Sequence, residues 1–100
     1  MDEVKITIAR KLRTGELLEK YGKGVEVECP MVKLGQEFRV GKDLKIPEGF
    51  CSWAWADIHR DIVHLALGGD FFWIKEKGTM LSCCTDGLRP VVFKLERIEE

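Results

Sequence analysis

The chain has 100 residues, of which 45% are hydrophobic and 33% are charged. This length suits one domain over residues 1–100, and the balance of apolar and charged side chains excludes an intrinsically disordered chain. The 16 basic and 17 acidic residues leave a formal net charge of −1. Generic nucleic-acid-binding proteins carry a basic excess, so we expect no nucleic-acid partner.

The chain lacks the sequence features of a membrane or secreted protein. No segment approaches the ~20 consecutive apolar residues that a membrane-spanning helix needs. An alternating strand pattern begins directly after Met1-Asp2-Glu3, without a secretory signal pattern. We therefore expect a cytoplasmic protein with no membrane partner, in which the 4 cysteines stay reduced and build no disulfide framework.

The first half of the chain shows the period-two alternation of half-buried strands. Three segments alternate apolar with polar residues and are predicted to be strands: Val4 to Ile8, Val25 to Cys29 and Phe38 to Val40. Pro30 ends the second of them. Residues 16–21 are predicted to form a short helical turn, whose buried side carries Leu17, Leu18 and Tyr21.

One long helix is predicted after Cys51, with Ser52 as its N-cap. Apolar side chains spaced three and four residues apart form its buried face: Trp55, Ile58, Ile62 and Leu65. Gly68-Gly69 ends the helix. The opposite face carries Asp57, Asp61 and His64, which indicates a solvated charged face; a metal ion held on the helix surface is the alternative.

Two more strands, Thr79 to Thr85 and Pro90 to Ile98, are predicted on either side of an Asp86-Gly87 turn. In the last strand, Val91, Phe93 and Leu95 share one face. The whole pattern predicts a small α+β domain. An antiparallel or mixed sheet of about five short strands, with a C-terminal hairpin, packs against one main helix.

The cysteines are the candidate chemical groups. Cys51 lies at the predicted helix start, where the macrodipole favours a thiolate. Cys83 and Cys84 point to opposite faces of their strand, so only one of them can join Cys29 and Cys51 in a cluster. Three interpretations stay open: buried inert thiols, a Zn²⁺ or iron–sulfur site, and a redox or nucleophilic thiol. The missing Cys-x-x-Cys pair counts against the metal.

Aromatic residues flank the predicted helix at both ends. Trp53 lies in its first turn, and Phe71, Phe72 and Trp73 lie in the loop that follows it. Either the loop folds back to cap the core, or some of these rings stay exposed as a ligand or interface surface. In the second case, a homo-oligomer is the simplest partner.

Several motifs resemble those of a family of small uncharacterised prokaryotic proteins of about this length. They are Phe50-Cys51-x-Trp53-Ala54-Trp55, Gly68-Gly69-x-Phe71 and residues 83–98, CCTDGLRPVVFKLERI. The likeness extends to Cys29-Pro30 and residues 35–38, so it covers most of the chain. It implies no activity. The family pattern matches this chain at Cys29, Cys51 and Cys84, which favours a site at those three residues, whereas Cys83 is less characteristic.

Together these features predict a small cytoplasmic binding or accessory protein that self-associates and has a cysteine-centred site. In the alternative metal version, Cys29, Cys51 and Cys84 bind Zn²⁺ or an iron–sulfur cluster, and Cys83 is a further candidate ligand. In the alternative enzyme version, Cys51 is the reactive thiol of a redox enzyme, with Cys84 resolving.

Overall fold

Two strands that are distant in the sequence form the centre of the sheet. A computed structural model, which describes residues 1–99, places β1 (Glu3–Lys11) between β2 (Glu37–Val40) and β4 (Val91–Ile98). β3 (Thr79–Cys83) pairs with the other side of β4, so the strand order is β2-β1-β4-β3. Every neighbouring pair is antiparallel, and the predicted α+β class is confirmed.

The core lies between one face of this sheet and one stripe of helix α2 (Ser52–Ala66). Its buried side chains come from alternate positions of the two central strands and from helical positions spaced three or four apart: Val4, Ile6, Ile8, Val91, Phe93, Leu95, Ile58, Ile62 and Leu65. These are the periods predicted from the sequence, because a strand or helix buries only the side chains that face its partner.

The two ends of α2 are set by backbone geometry. Cys51, with an extended backbone, is the N-cap, and its carbonyl accepts the Trp55 N–H at 2.9 Å. Ser52, the predicted N-cap, is already the first helical residue, one position further along. The helix ends at Ala66, and Gly68 follows with φ of 91°, a conformation that glycine adopts without strain.

The predicted strand Val25 to Cys29 is wrong. Val25 and Val27 are exposed, and within residues 1–99 this segment pairs with no strand, so the sheet has four strands rather than about five. An ion pair of 2.6 Å between Arg13 and Glu28 holds the segment beside the chain that follows β1. Alternation of apolar and polar residues shows that a segment could bury one face as a strand. It does not show that another strand is available to pair with it.

Helix α1 (Glu16–Tyr21) forms as predicted, but its buried side does not. Leu17 and Tyr21 are exposed, and within the described residues α1 packs against no other helix or strand. The sequence of so short a helix has an apolar stripe whether or not another part of the fold packs against that stripe. No helix within residues 1–99 is long and apolar enough to cross a membrane.

Asp61 is not on a solvated face as predicted, because it is only 7% exposed. It lies three residues after Ile58 and four before Leu65, so it borders the stripe that packs on the sheet. Its carboxylate lies 3.9 Å from Arg60 Nε. The buried stripe of α2 is therefore wider than the apolar pattern indicates, because it also includes Asp61.

Arg97 joins β4 to the C-terminal end of α2. Its side chain, 6% exposed, donates hydrogen bonds to the carbonyls of Leu65 (3.2 Å) and Gly69 (2.6 Å) and to Asp70 Oδ1 (3.0 Å). The same Asp70 oxygen accepts the Gly78 N–H at 2.6 Å. The Gly78 hydrogen bond and the Arg97 guanidinium hold the pKa of Asp70 below its ordinary value of 3.8.

Candidate functional site

Three of the four cysteines line one cavity, which we call the cysteine cavity, at the N-terminal end of α2. Its volume is about 550 Å³. Cys51 is the N-cap of α2, Cys84 lies one residue after β3, and Cys29 lies between α1 and β2. Each is half-buried and packs against the core. The structure thus brings together the three thiols that the sequence singles out, from three distant segments.

Cys83 does not line the cysteine cavity. It is exposed, and its Sγ lies 3.3 Å from the Cys84 carbonyl oxygen, to which it donates. Although the residue is exposed as a whole, partial desolvation of its thiol raises the pKa of Cys83, and the nearby Cys84 and Asp57 raise it further. Successive strand residues face opposite ways, which separates the two adjacent thiols.

Two hydrogen bonds fix the position of Cys84 opposite the start of β4. The Cys84 N–H donates to the Val91 carbonyl at 3.1 Å, and the Val91 N–H donates to Cys84 Sγ at 3.3 Å. The sulfur thus takes the place of a carbonyl oxygen as the acceptor in this pair. Its location in the cavity wall is therefore tied to the end of the β3–β4 hairpin.

The wall of the cysteine cavity is mainly apolar. Between the thiols it is formed by side chains from the loop before β2, from α2 and from β4: Met31, Val32, Ala54, Val91 and Phe93. Apolar walls with a few convergent polar groups are typical of sites for small molecules. Phe93 also belongs to the buried core, so the cavity and the core share a wall.

A chain of hydrogen bonds holds the rim of the cavity. Trp53 Nε1 donates to Thr85 Oγ1 at 2.9 Å, and both side chains line the cavity. Thr85 in turn donates to the Asp57 carboxylate, through its backbone N–H at 2.7 Å and its hydroxyl at 3.0 Å. The sequence indicated a solvated charge at Asp57. In the structure, its carboxylate instead accepts these hydrogen bonds and joins the β3–β4 turn to α2.

Two charged residues in the β3–β4 turn also line the cavity. Asp86 Oδ1 accepts the N–H groups of Leu88 at 2.9 Å and Arg89 at 3.1 Å. These hydrogen bonds, the Leu88 bond first, and the Arg89 charge lower the pKa of Asp86. Arg89 lies 3.4 Å from Asp86 through its Nε, and its side chain is 23% exposed. The sequence predicted a turn here, and nothing in the spacing shows that Arg89 lines the same cavity as the thiols.

Within residues 1–99, no three Cys, His, Asp or Glu side chains are grouped so that they can hold one metal ion. A Zn²⁺ ion or iron–sulfur cluster bound by Cys29, Cys51 and Cys84 would require these thiols to approach one another. Structural zinc needs ligands at about 2.3 Å from the ion on several sides. The metal version of the site therefore stays a prediction.

The aromatic residues divide between the two ends of α2. Trp53 lines the cysteine cavity, whereas the loop after α2 lies at the opposite end of a helix that is roughly 22 Å long at 1.5 Å per residue. In that loop Phe71 packs against the core, with its ring 4.6 Å from the His64 ring. Phe72 is 97% exposed and Trp73 is also exposed. The loop thus caps the core with one ring and presents the other two.

His64 holds this aromatic loop rather than a metal ion. Its Nε2 lies 2.9 Å from the Asp70 carbonyl oxygen, and a Cβ on Gly69 would collide with its ring. Glycine at position 69 lets the chain pass the ring closely.

Compared with known proteins, the chain matches no family model, no curated protein and no solved structure.

Proposed function

We propose that the protein is a binding module that holds a small, largely apolar molecule in the cysteine cavity. The observation that carries this proposal is that three half-buried thiols, from distant segments, line one cavity of about 550 Å³. Ligand sites in proteins have volumes of about 300–1,000 Å³ and mostly apolar walls. All four cysteines are free thiols, the state expected in the reducing cytoplasm, where we place the protein.

The hydrogen-bonded rim favours a binding function over the alternative that these thiols are only buried side chains of the core. The hydrogen bonds from Trp53 to Thr85 and from Thr85 to Asp57 hold an indole at the cavity edge. An ordered rim keeps the cavity in one shape before the ligand arrives, which lowers the ordering cost of binding. Cysteines that only fill a core need no such arrangement around them.

Filling the cavity should abolish binding. Ala54 is buried and lines the cavity, so Ala54→Leu places three more carbon atoms inside it. We expect the neutral probe octanol to shift the amide resonances of Cys84 and Gly87 in the wild type. Ala54→Leu should weaken this binding by about tenfold or more, because the added carbon atoms occupy space in which the probe would otherwise make apolar contacts. Titrations followed by ¹H–¹⁵N correlation spectra measure the effect.

The matched control is Ala56→Leu, which makes the same change at an exposed position of α2 outside the cavity. It should bind octanol as the wild type does. Equal octanol binding in both variants, or shifts confined to amides far from the cavity, would contradict the proposed site.

The second candidate is thiol chemistry at Cys51, favoured by its place as N-cap of α2. No acidic residue lies in the first turn of α2, so nothing there offsets the positive end of the helix dipole. In a redox reaction, the Cys51 thiolate would attack a substrate disulfide and release one thiol. Cys84 would then attack Cys51 and release the second, leaving a Cys51–Cys84 disulfide in the protein.

Residue-by-residue alkylation tests this candidate. With iodoacetamide at pH 7, Cys51 should react faster than Cys83, because the raised pKa of Cys83 leaves little thiolate there. The rate at Cys83 should rise with pH, with a midpoint above the ordinary value of 9.0. Mass spectrometry of the digested protein measures both. Fastest labelling at Cys83 at pH 7 counts against thiol chemistry at Cys51.

The same experiment with added Zn²⁺ tests the metal version. A bound ion should protect Cys29, Cys51 and Cys84 together and leave Cys83 reactive. Protection of none of the three at a metal excess rules out a shared zinc site.

We further propose that the protein self-associates through the exposed rings of Phe72 and Trp73. Adjacent exposed aromatic rings, here 5.0 Å apart, favour an interface. Trp73→Ala should convert a defined oligomer into a monomer in sedimentation velocity. Tyr21→Ala removes another exposed aromatic ring and should leave the oligomer intact. A wild-type chain that stays monomeric at high concentration would falsify this proposal.

A further inference from the structure

We propose that the ligand of the cysteine cavity is a small organic acid, whose carboxylate binds Arg89 and whose apolar body lies against the cavity wall. This inference rests on the proposed binding function and adds the chemical class of the ligand. It starts from the one basic side chain that lines an otherwise mainly apolar cavity.

Arg89 has hydrogen-bonding capacity that the fold does not use. Its Nε is buried and makes no hydrogen bond, although it lies 3.4 Å from Asp86 Oδ2. Its two terminal nitrogens donate to no atom in the part of the chain that the structure describes. Only the buried Nε is both unpaired and away from bulk water, which costs free energy. The terminal nitrogens carry four further N–H donors, and a carboxylate supplied by a ligand would give them acceptors that the fold does not.

Asp86 orients Arg89 without satisfying it. One oxygen of Asp86 accepts two backbone N–H groups, from Leu88 and from Arg89 itself. The other oxygen lies 3.4 Å from Arg89 Nε and accepts no hydrogen bond from it. The two terminal nitrogens therefore stay available to a second carboxylate, and a guanidinium binds such a group through two parallel hydrogen bonds. The charge of Asp86 also opposes a second anion, which limits the affinity.

The walls favour an acid with an apolar body over a bare anion. Met31, Ala54 and Phe93 offer no hydrogen bonds to a phosphate or sulfate ion, whereas they gain contact area from an alkyl or aryl group. A carboxylate at one end and hydrocarbon at the other match the two kinds of surface in the cavity. Inorganic phosphate is the alternative anion to be tested.

The experiment compares octanoate with octanol, which have the same number of carbon atoms and differ in the head group. Binding is measured by calorimetry and located by the amide shifts of Cys84 and Gly87. The wild type should bind octanoate about tenfold more tightly than octanol, since a charge-assisted hydrogen bond adds about that factor. Arg89→Gln should remove this difference by weakening octanoate binding about tenfold, to the level of octanol. Inorganic phosphate should bind more weakly than octanoate.

Arg10→Gln is the matched control, because Arg10 is exposed and does not line the cavity. It should keep the preference for octanoate. Thermal melting checks the fold of each variant, and Arg89→Lys, which keeps the charge, should retain part of the preference if Arg89→Gln is unstable.

The outcomes separate the inference from the proposed function. If octanol binds as tightly as octanoate and Arg89→Gln changes neither, the acid is ruled out and the binding module stands. Phosphate that binds as tightly as octanoate also overturns the inference, because the apolar body then contributes nothing. If neither octanol nor octanoate shifts the cavity amides, the proposed function itself fails.

Discussion

Replacing Phe93 by alanine should lower the free energy of unfolding by about 4 kcal/mol, the range for a buried phenylalanine. The ring is buried on β4, with its centroid 5.5 Å from that of Phe50, which in turn lies 5.0 Å from Phe38. Its loss leaves a void in the core and removes part of the wall of the cysteine cavity. Urea or guanidinium denaturation, followed by tryptophan fluorescence, measures the change.

Phe72→Ala is the control for this substitution. It deletes the same ring from a side chain that is 97% exposed and should change stability by less than about 0.5 kcal/mol. A loss below about 1.5 kcal/mol for Phe93→Ala would contradict this expectation. It would mean that the neighbouring cavity already reduces the packing around Phe93, so that deleting its ring lowers the free energy of unfolding only slightly.

Replacing Arg97 by methionine should destabilise the fold by about 3 kcal/mol, because it removes a buried charged side chain and leaves its part-buried carbonyl partners unpaired. Arg97 is 6% exposed and binds the carbonyls of Leu65 and Gly69 as well as Asp70. Lysine keeps the charge but lacks the branched donors, so Arg97→Lys should also lose more than about 1 kcal/mol. Denaturation curves measure both variants.

The control is Arg39→Met, which removes an exposed arginine paired with Glu3 and should cost at most about 1 kcal/mol. Equal losses at the two positions would show that the buried contacts of Arg97 contribute no more than a surface ion pair.

The Arg97 contact also predicts how stability depends on pH. The folded pKa of Asp70 is lowered from 3.8, so the folded state favours its ionised form. This contribution is fully present above pH 3.8 and is lost as the pH falls through the lower folded pKa. The stability difference between the wild type and Asp70→Asn should therefore be constant near neutral pH and shrink in acid. A difference that grows on acidification contradicts this assignment.

Sequence periodicity predicted the elements whose apolar faces meet inside this chain. Ile6 on β1, Ile62 on α2 and Leu95 on β4 follow the expected spacing because each faces the same core. Val25 and Val27 show equally regular alternation and remain exposed. The pattern reports only local hydrophobic character, and the presence of a partner is a property of the whole fold.

The sequence indicates part of the cavity lining and misses the rest. The helix start at Cys51 and the opposite facing of Cys83 and Cys84 follow from local geometry, and Cys29, Cys51 and Cys84 do line one cavity. The position of Arg89 depends on the path of a short turn, and that path is set by Asp86 accepting two backbone N–H groups. Such a network involves side-chain placement, which spacing in the sequence does not encode.

The strand order has a consequence for folding kinetics. The central ladder pairs Ile8 of β1 with Phe93 of β4, so the pairing that organises the core joins distant parts of the chain. The entropy lost in closing so long a loop precedes the gain from these contacts, and such topologies fold on the order of milliseconds to seconds. A nascent chain that lacks β4 leaves one edge of β1 open. Until synthesis reaches that strand, the exposed edge is where we expect chaperones to act.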